Sequence, residues 1–121
     1  MASRTQVIRE YYARIDANDT EWVLALFASD AVYERAGALY TGAAEVRRFF
    51  SVERQIRGTH EVEHLWQAEV NVVVAVGRFC GVGAAGDSRA VRFADIWWFG
   101  HVNHIERRET FLGIGHKYVE A

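Results

Sequence analysis

Apolar residues recur at helical spacing along the first third of the chain and at strand spacing along the rest. Val7, Ile8, Tyr11, Tyr12 and Ile15 form an i, i+1, i+4, i+5, i+8 stripe. Ser3-Arg4-Thr5-Gln6, just ahead of it, has the spacing of a capping box, so a first helix is expected there. Asn18-Asp19-Thr20 ends that helix and caps a second, with Trp22, Val23, Leu26 and Phe27 as its buried face. "SDAVYE" reads as a first strand over 31–34, and "RAGALYTG" as a loop with a short strand at 39–40. Thr41 can cap a third helix running to about 56, with Val46, Phe49 and Phe50 inward.

After Arg57-Gly58 the period changes to two. Long strands are expected over 59–68, 70–82, 89–99 and 102–119, with breaks short enough for hairpins. Three helices followed by an antiparallel meander predict an α+β fold: a curved antiparallel sheet, helices on its concave face, and a cone-shaped pocket between them. The strands at 70–82 and 89–99 are apolar on both faces, so their outer face also needs cover. A second copy of the chain is the expected cover, which predicts a homodimer.

Composition narrows the function classes. The chain has 121 residues, half of them hydrophobic, enough for one domain spanning 1–121 with a real core. A net charge of −2 lacks the basic footprint of a nucleic-acid binder. No apolar run approaches the roughly 20 residues needed to span a bilayer, and the first residues show no signal-like core. The one cysteine, Cys80, cannot form an intrachain disulfide and reads as a small core residue. These features predict a soluble, cytoplasmic protein whose partner is a small molecule.

The candidate chemistry begins at "RFADIWWFG". Alternation puts Phe93, Asp95, Trp97 and Phe99 on one strand face. A carboxylate buried among rings is expensive unless it is partnered. Asp95 is therefore either a structural acid holding an arginine or backbone amides, or the working acid of a site. Tyr11 and Tyr12 lie on the buried side of the first helix, as core phenols or as donors to Asp95 or to a ligand oxygen. Arg35 follows the first strand and can pair with Asp95, meet an anionic substrate oxygen, or stay solvated. His60, Val62, His64 and Trp66 share one face of an expected strand. The HxxxH spacing of "HEVEH" would suit a metal on a helix, but on a strand the rings stand roughly 13 Å apart, so no metal site is expected. His60 alone is a candidate acid or base at neutral pH, or else an edge histidine. "ERRET" at 106–110 reads as cross-strand charge pairing. No phosphate-loop spacing is present, and no cofactor is expected. Trp97, Phe93, Tyr12, Phe50 and Trp66 are the expected apolar lining of a substrate pocket.

In order and spacing, "REYYARIDANDTEWVLALFASDAVYE", "YTGAAEVRRFF", "HEVEHLWQAEVNVVVAVGRFCGV" and "VRFADIWWFGHVNHIERRETF" resemble the NTF2-like superfamily. The resemblance covers nearly the whole chain and points to its ketosteroid-isomerase-like and SnoaL-like small enzymes. It implies that Asp95 falls where ketosteroid isomerases keep a protonated aspartic acid, and Tyr11 where they keep their oxyanion tyrosine. Where those isomerases carry a base aspartate, this chain carries Arg35, which cannot take a proton. The Arg-x-Asp pair of the limonene-epoxide-hydrolase branch is not reproduced by Arg92 and Asp95, which stand three apart on opposite faces. The function implied is a cofactor-free isomerase or cyclase for a small, largely apolar, polyketide- or terpenoid-like molecule. Asp95 or His60 would move a proton, and Tyr11 with Arg35 would hold an oxyanion. A non-catalytic pocket for a hydrophobic ligand, an epoxide-hydrolase-like enzyme with a different constellation, and an association domain are the other readings.

Overall fold

Ser3 caps helix α1 (Arg4–Asp16) in the computed structural model of the chain, which describes residues 2–54 and 57–113. Its hydroxyl accepts from the Gln6 amide, and the Gln6 side chain accepts from the Ser3 amide at 2.8 Å. This is the reciprocal box that the spacing predicts. Ile8, Tyr11, Tyr12 and Ile15 form the buried stripe. Asn18 then turns left-handed (φ 61°), which asparagine tolerates, and Asp19 accepts from the Trp22 amide to open α2 (Thr20–Leu26).

Strand β1 (Phe27–Arg35) is longer than the expected 31–34 and takes in Phe27 and Arg35. The stretch read as a loop is a hairpin to β2 (Ala38–Thr41), turned by Ala36 and Gly37 with φ of 49° and 83°. Two consecutive positive φ values match the twist of a two-residue hairpin. Helix α3 (Gly42–Arg48) starts after Thr41, held by the Glu45 side chain, which accepts from the Thr41 amide at 2.7 Å. It ends well before 56, in a π-helical turn over Phe49–Glu53. Phe49 and Phe50 at the start of that turn are both buried in the core.

Strands β3 (Arg57–Glu69), β4 (Val72–Val82), β5 (Ser88–Phe99) and β6 (Ile105–Gly113) form the expected antiparallel meander. The continuation expected to 119 lies outside the described residues. β1 adds to the free edge of β6, giving a six-stranded sheet in the order β2-β1-β6-β5-β4-β3. That junction is parallel, so the sheet is mixed rather than antiparallel throughout. It curves without closing, as an α+β fold, with α1 against β3 and β4 and α3 against β1. No helix among the described residues is long and apolar enough to cross a membrane.

Two irregularities set which side chains face inward. In β3 the register slips between Val62 and His64. His60 and Val62 oppose Phe79 and Gly77 on the inner face, whereas His64 and Trp66 oppose Val76 and Val74 on the outer face. The expected common face of His60, Val62, His64 and Trp66 is thereby broken, because one inserted residue inverts the alternation. In β6 the pairing with β5 slips between Ile105 and Arg107, so Ile105 and Arg108 are both buried. Cys80 also departs from expectation: next to inward Phe79, it is exposed rather than part of the core.

Gly77 on β4 faces β3 at close range. A Cβ there would fall 2.1 Å from the Glu61 carbonyl oxygen and 3.1 Å from the Phe93 ring. Neither backbone nor packed ring can move away freely. Gly77→Ala is expected to lower stability by about 1–3 kcal/mol, measured by urea unfolding.

Candidate active site

The inner face of the sheet brings three strands together at one buried charge. On β5 and β6, Asp95 lies opposite Thr110 and Trp97 opposite Arg108. On β1 and β6, Tyr33 lies beside Arg108 and Arg35 beside Thr110. The row Tyr33–Arg108–Trp97 therefore places a guanidinium between two rings, 4.7 Å and 4.3 Å from their centroids. Tyr11 of α1 adds a third ring at 4.8 Å. These are cation–π distances in a site removed from water.

Asp95 is 1 % exposed and Arg108 3 %, so each must be satisfied by protein. Arg108 Nη2 donates to Asp95 Oδ2 at 2.9 Å, and Nε approaches Oδ1 at 3.3 Å. Tyr12 and Thr110 donate their hydroxyl hydrogens to the same carboxylate, one to each oxygen. Asp95 thus accepts four hydrogen bonds, the full capacity of a carboxylate. Burial alone would weaken the Arg108 proton affinity. Asp95, then the Tyr11 and Tyr33 oxygens, outweigh it and raise the pKa well above the usual arginine value.

A hydroxyl has one hydrogen, so the bonds around Asp95 run in one direction. Thr110 gives its hydrogen to Asp95 and must accept from Tyr33, 3.1 Å away; Tyr33 in turn accepts from Arg35 Nη1 at 3.3 Å. Arg35 therefore reaches Asp95 only through two hydroxyls, and its guanidinium rests over Phe49. Trp97 Nε1 donates to Tyr12 at 3.3 Å, which donates to Asp95. Burial and the Asp95 charge push the Tyr12 pKa well above the ordinary phenol value.

Tyr11 is different. Its oxygen accepts from Arg108 Nη1 at 2.6 Å, and its own hydrogen has no acceptor among the described residues. Burial pushes its pKa up to about 12 against the pull of Arg108, so it remains a protonated donor at neutral pH. It lines a cavity of about 530 Å³ between the sheet and the helices. Arg35, Phe50, His60, Phe93 and Asp95 line the same cavity. Of the other residues expected there, Trp97 is wholly buried behind Tyr11, Tyr12 is spent on Asp95, and Trp66 is on the outer face, 46 % exposed.

His60 enters the cavity from β3 with a partner that the sequence reading did not assign. Asp16, at the end of α1, accepts from the His60 amide at 2.8 Å and meets Nδ1 at 2.6 Å. A carboxylate only accepts, so Nδ1 carries the hydrogen and Nε2 keeps its lone pair. Burial lowers the His60 pKa below the ordinary 6.5, and the opposing pull of Asp16 does not cancel it. At neutral pH the ring is an uncharged base.

Arg108, Thr110, Tyr33 and Asp16 are the functional-site residues that sequence reasoning missed. Arg107, half-buried and paired with Glu34 at 2.7 Å, is the cross-strand charge pairing that "ERRET" suggested; Arg108 is not. The available signal was a buried acid, Asp95, one hairpin away from two adjacent arginines. The signal for Asp16 was a carboxylate one helical turn after inward Tyr12.

The sequence pattern of the SnoaL-like domain matches residues 8–105. The chain belongs to the SnoaL-like family. Solved structures agree on the fold of this SnoaL-like chain. It is similar to a putative SnoaL-like polyketide cyclase from Shewanella putrefaciens CN-32, at 16 % identity over 93 % of this chain and 90 % of the other, with a TM-score of 0.78. It is similar to the epoxide hydrolase/cyclase-like enzyme SalBIII of pyran ring formation in the polyether salinomycin, at 18 % identity, 92 % and 91 % coverage and a TM-score of 0.80. An NTF2-like protein of unknown function from Burkholderia pseudomallei K96243 matches at 21 % identity, with the same coverage and TM-score. Comparison with curated proteins found no match.

Removing Asp95 would leave Arg108 charged and buried. Asp95→Ala is expected to cost about 3–5 kcal/mol in urea unfolding. Arg35→Ala, at a half-buried residue with one long hydrogen bond, is expected to cost less than about 1 kcal/mol.

Proposed function

We propose that the protein is a cofactor-free isomerase or cyclase of the cytoplasm, acting by general acid–base catalysis on a small, largely apolar molecule of polyketide or terpenoid type. One observation carries this reading: a single cavity presents an uncharged histidine base and an uncommitted phenol donor, His60 and Tyr11. Phe49, Phe50, Phe79 and Phe93 are among the lining. Such a pocket takes an apolar body and aligns it against few polar groups.

In this reading His60 Nε2 removes a proton from a carbon beside a carbonyl. The oxyanion that develops accepts the Tyr11 hydrogen, and the Arg108 charge behind Tyr11 steadies it. Return of the proton from His60 to another carbon completes an isomerisation. In a cyclisation His60 takes the proton of a substrate hydroxyl, whose oxygen attacks while Tyr11 protonates the oxygen that is released. That second course also fits opening of an epoxide by an internal hydroxyl; the similar SalBIII is described as epoxide hydrolase/cyclase-like, in pyran ring formation. Asp95 acts as a positioning residue that holds Arg108 and orients Tyr12.

The test follows deuterium uptake by a β,γ-unsaturated cyclic ketone with NMR. His60→Gln is expected to lower kcat about 10²–10⁴-fold, and Tyr11→Phe about 10²–10³-fold. Protonation removes the base, so activity falls on the acid side; because burial lowers the His60 pKa, the midpoint of the fall lies below pH 6.5. Unchanged exchange in His60→Gln sinks the proposal. Ligand-induced thermal stabilisation with no exchange in the wild type would favour a non-catalytic binding protein.

The same proposal takes the protein as a homodimer joined through the outer sheet face. Trp66, Val74 and Ile96 form one apolar row there, and Val72 and Trp98 the next. Sedimentation equilibrium is expected to give twice the chain mass, and Ile96→Glu to give the single mass. A single mass for the wild type removes the dimer from the proposal.

A further inference from the structure

The charges around the cavity do not balance. Among the described residues, four arginines line it, Arg35, Arg54, Arg89 and Arg108, against one acid, Asp95. Asp95 is fully used by Arg108 and the hydroxyls, and Arg89 is paired with Asp87 at the rim. Arg35 and Arg54 meet no carboxylate among the described residues. Arg35 donates to the Tyr33 hydroxyl and lies over the Phe49 ring, 5.4 Å away. Arg54 ends the π-helical turn with its guanidinium half-buried in the lining. The Asp16 charge reaches it at a distance, and among the described residues no hydrogen bond or ion pair to its side chain forms. Burial pulls its pKa below the usual arginine range, the direction expected of a cation that has lost water without gaining an anion.

A partly desolvated guanidinium without a counter-charge is unfavourable in the empty protein and favourable once an anion arrives. Phe49, Phe50, Phe79, Phe93, Val91 and Leu112 supply apolar walls beside the arginines, a match for an anion attached to an apolar body. A singly charged group loses less hydration on entering such a cavity than a doubly charged one.

We infer that the ligand of this cavity is an apolar molecule bearing a carboxylate, which Arg54 and Arg35 hold while the apolar part lies against the phenylalanines. This names the substrate class of the acid–base site proposed above and rests on that reading for its catalytic meaning. The carboxylate fixes which atoms of the body face His60 and Tyr11. Its charge contributes recognition, and its orientation contributes regiospecificity.

Calorimetric titration of the intact protein with 1-naphthylacetate, its methyl ester and 1-naphthyl phosphate tests the assignment. The acid is expected to bind about tenfold or more tightly than the ester, as charge-assisted hydrogen bonds allow. The preference should weaken at high salt. Arg54→Gln and Arg35→Gln should each reduce it, and the double variant should abolish it. Arg54→Lys, which keeps the charge, should retain part of it. Thermal melts of the variants identify any that fail to fold. Equal binding of acid and ester, a preference that survives in the folded double variant, or tighter binding of the phosphate than of the acid overturns the inference. The acid–base reading can fail separately. Carboxylate preference without deuterium exchange leaves the ligand class standing and removes the reaction. Exchange catalysed on an ester as well as on its acid does the reverse.

Discussion

The buried pair of Asp95 and Arg108 is the constraint around which the site is arranged. It joins β5 to β6, and through the rings of Tyr33, Trp97 and Tyr11 it also engages β1 and α1. A charge pair this deep gives little net stability over an apolar replacement, but leaving either member alone is costly. That asymmetry restricts the packing around it. Rings must flank the guanidinium, and hydroxyls must occupy the remaining carboxylate positions. Tyr12 and Thr110 meet the second requirement, and the aromatic content of the inner face meets the first.

The direction of the hydrogen bonds follows from the same pair. Hydrogens run toward Asp95 from Arg35 through Tyr33 and Thr110, and from Trp97 through Tyr12. Among these hydroxyls only Tyr11 accepts from Arg108, and its own hydrogen has no acceptor among the described residues. Two adjacent tyrosines on one helix thus have opposite uses, because one faces the acid and the other faces its counter-ion. Asp16 and His60 form a second polar unit that fixes a tautomer. The Tyr12 ring, bonded to Asp95, packs 5.3 Å from the His60 ring, and Phe93 lies beside both.

Much of the fold was legible because local rules and global packing agree. The capping box at Ser3, the Asn18-Asp19 junction and the apolar stripe of α1 are local, and each appears where the spacing puts it. The meander followed from period-two alternation and short breaks. Alternation also put Asp95 among Phe93, Trp97 and Phe99 on the inner face, and it placed Tyr11 and Tyr12 inward.

What the sequence by itself determined was therefore the set of elements, the inward face of β5 and the presence of a buried acid that needed a partner. Only the tertiary structure decided which arginine that partner was. The insertion in β6 shifts the alternation by one residue, sending Arg108 inward while Arg107 stays at the surface. The slip in β3 likewise separates His60 from Trp66. A bulge is a property of two paired strands, written in their register rather than in the composition of either, so no reading of a single strand's pattern contains it. The same holds for Asp16 and His60, which are 44 residues apart and meet only because α1 lies across β3.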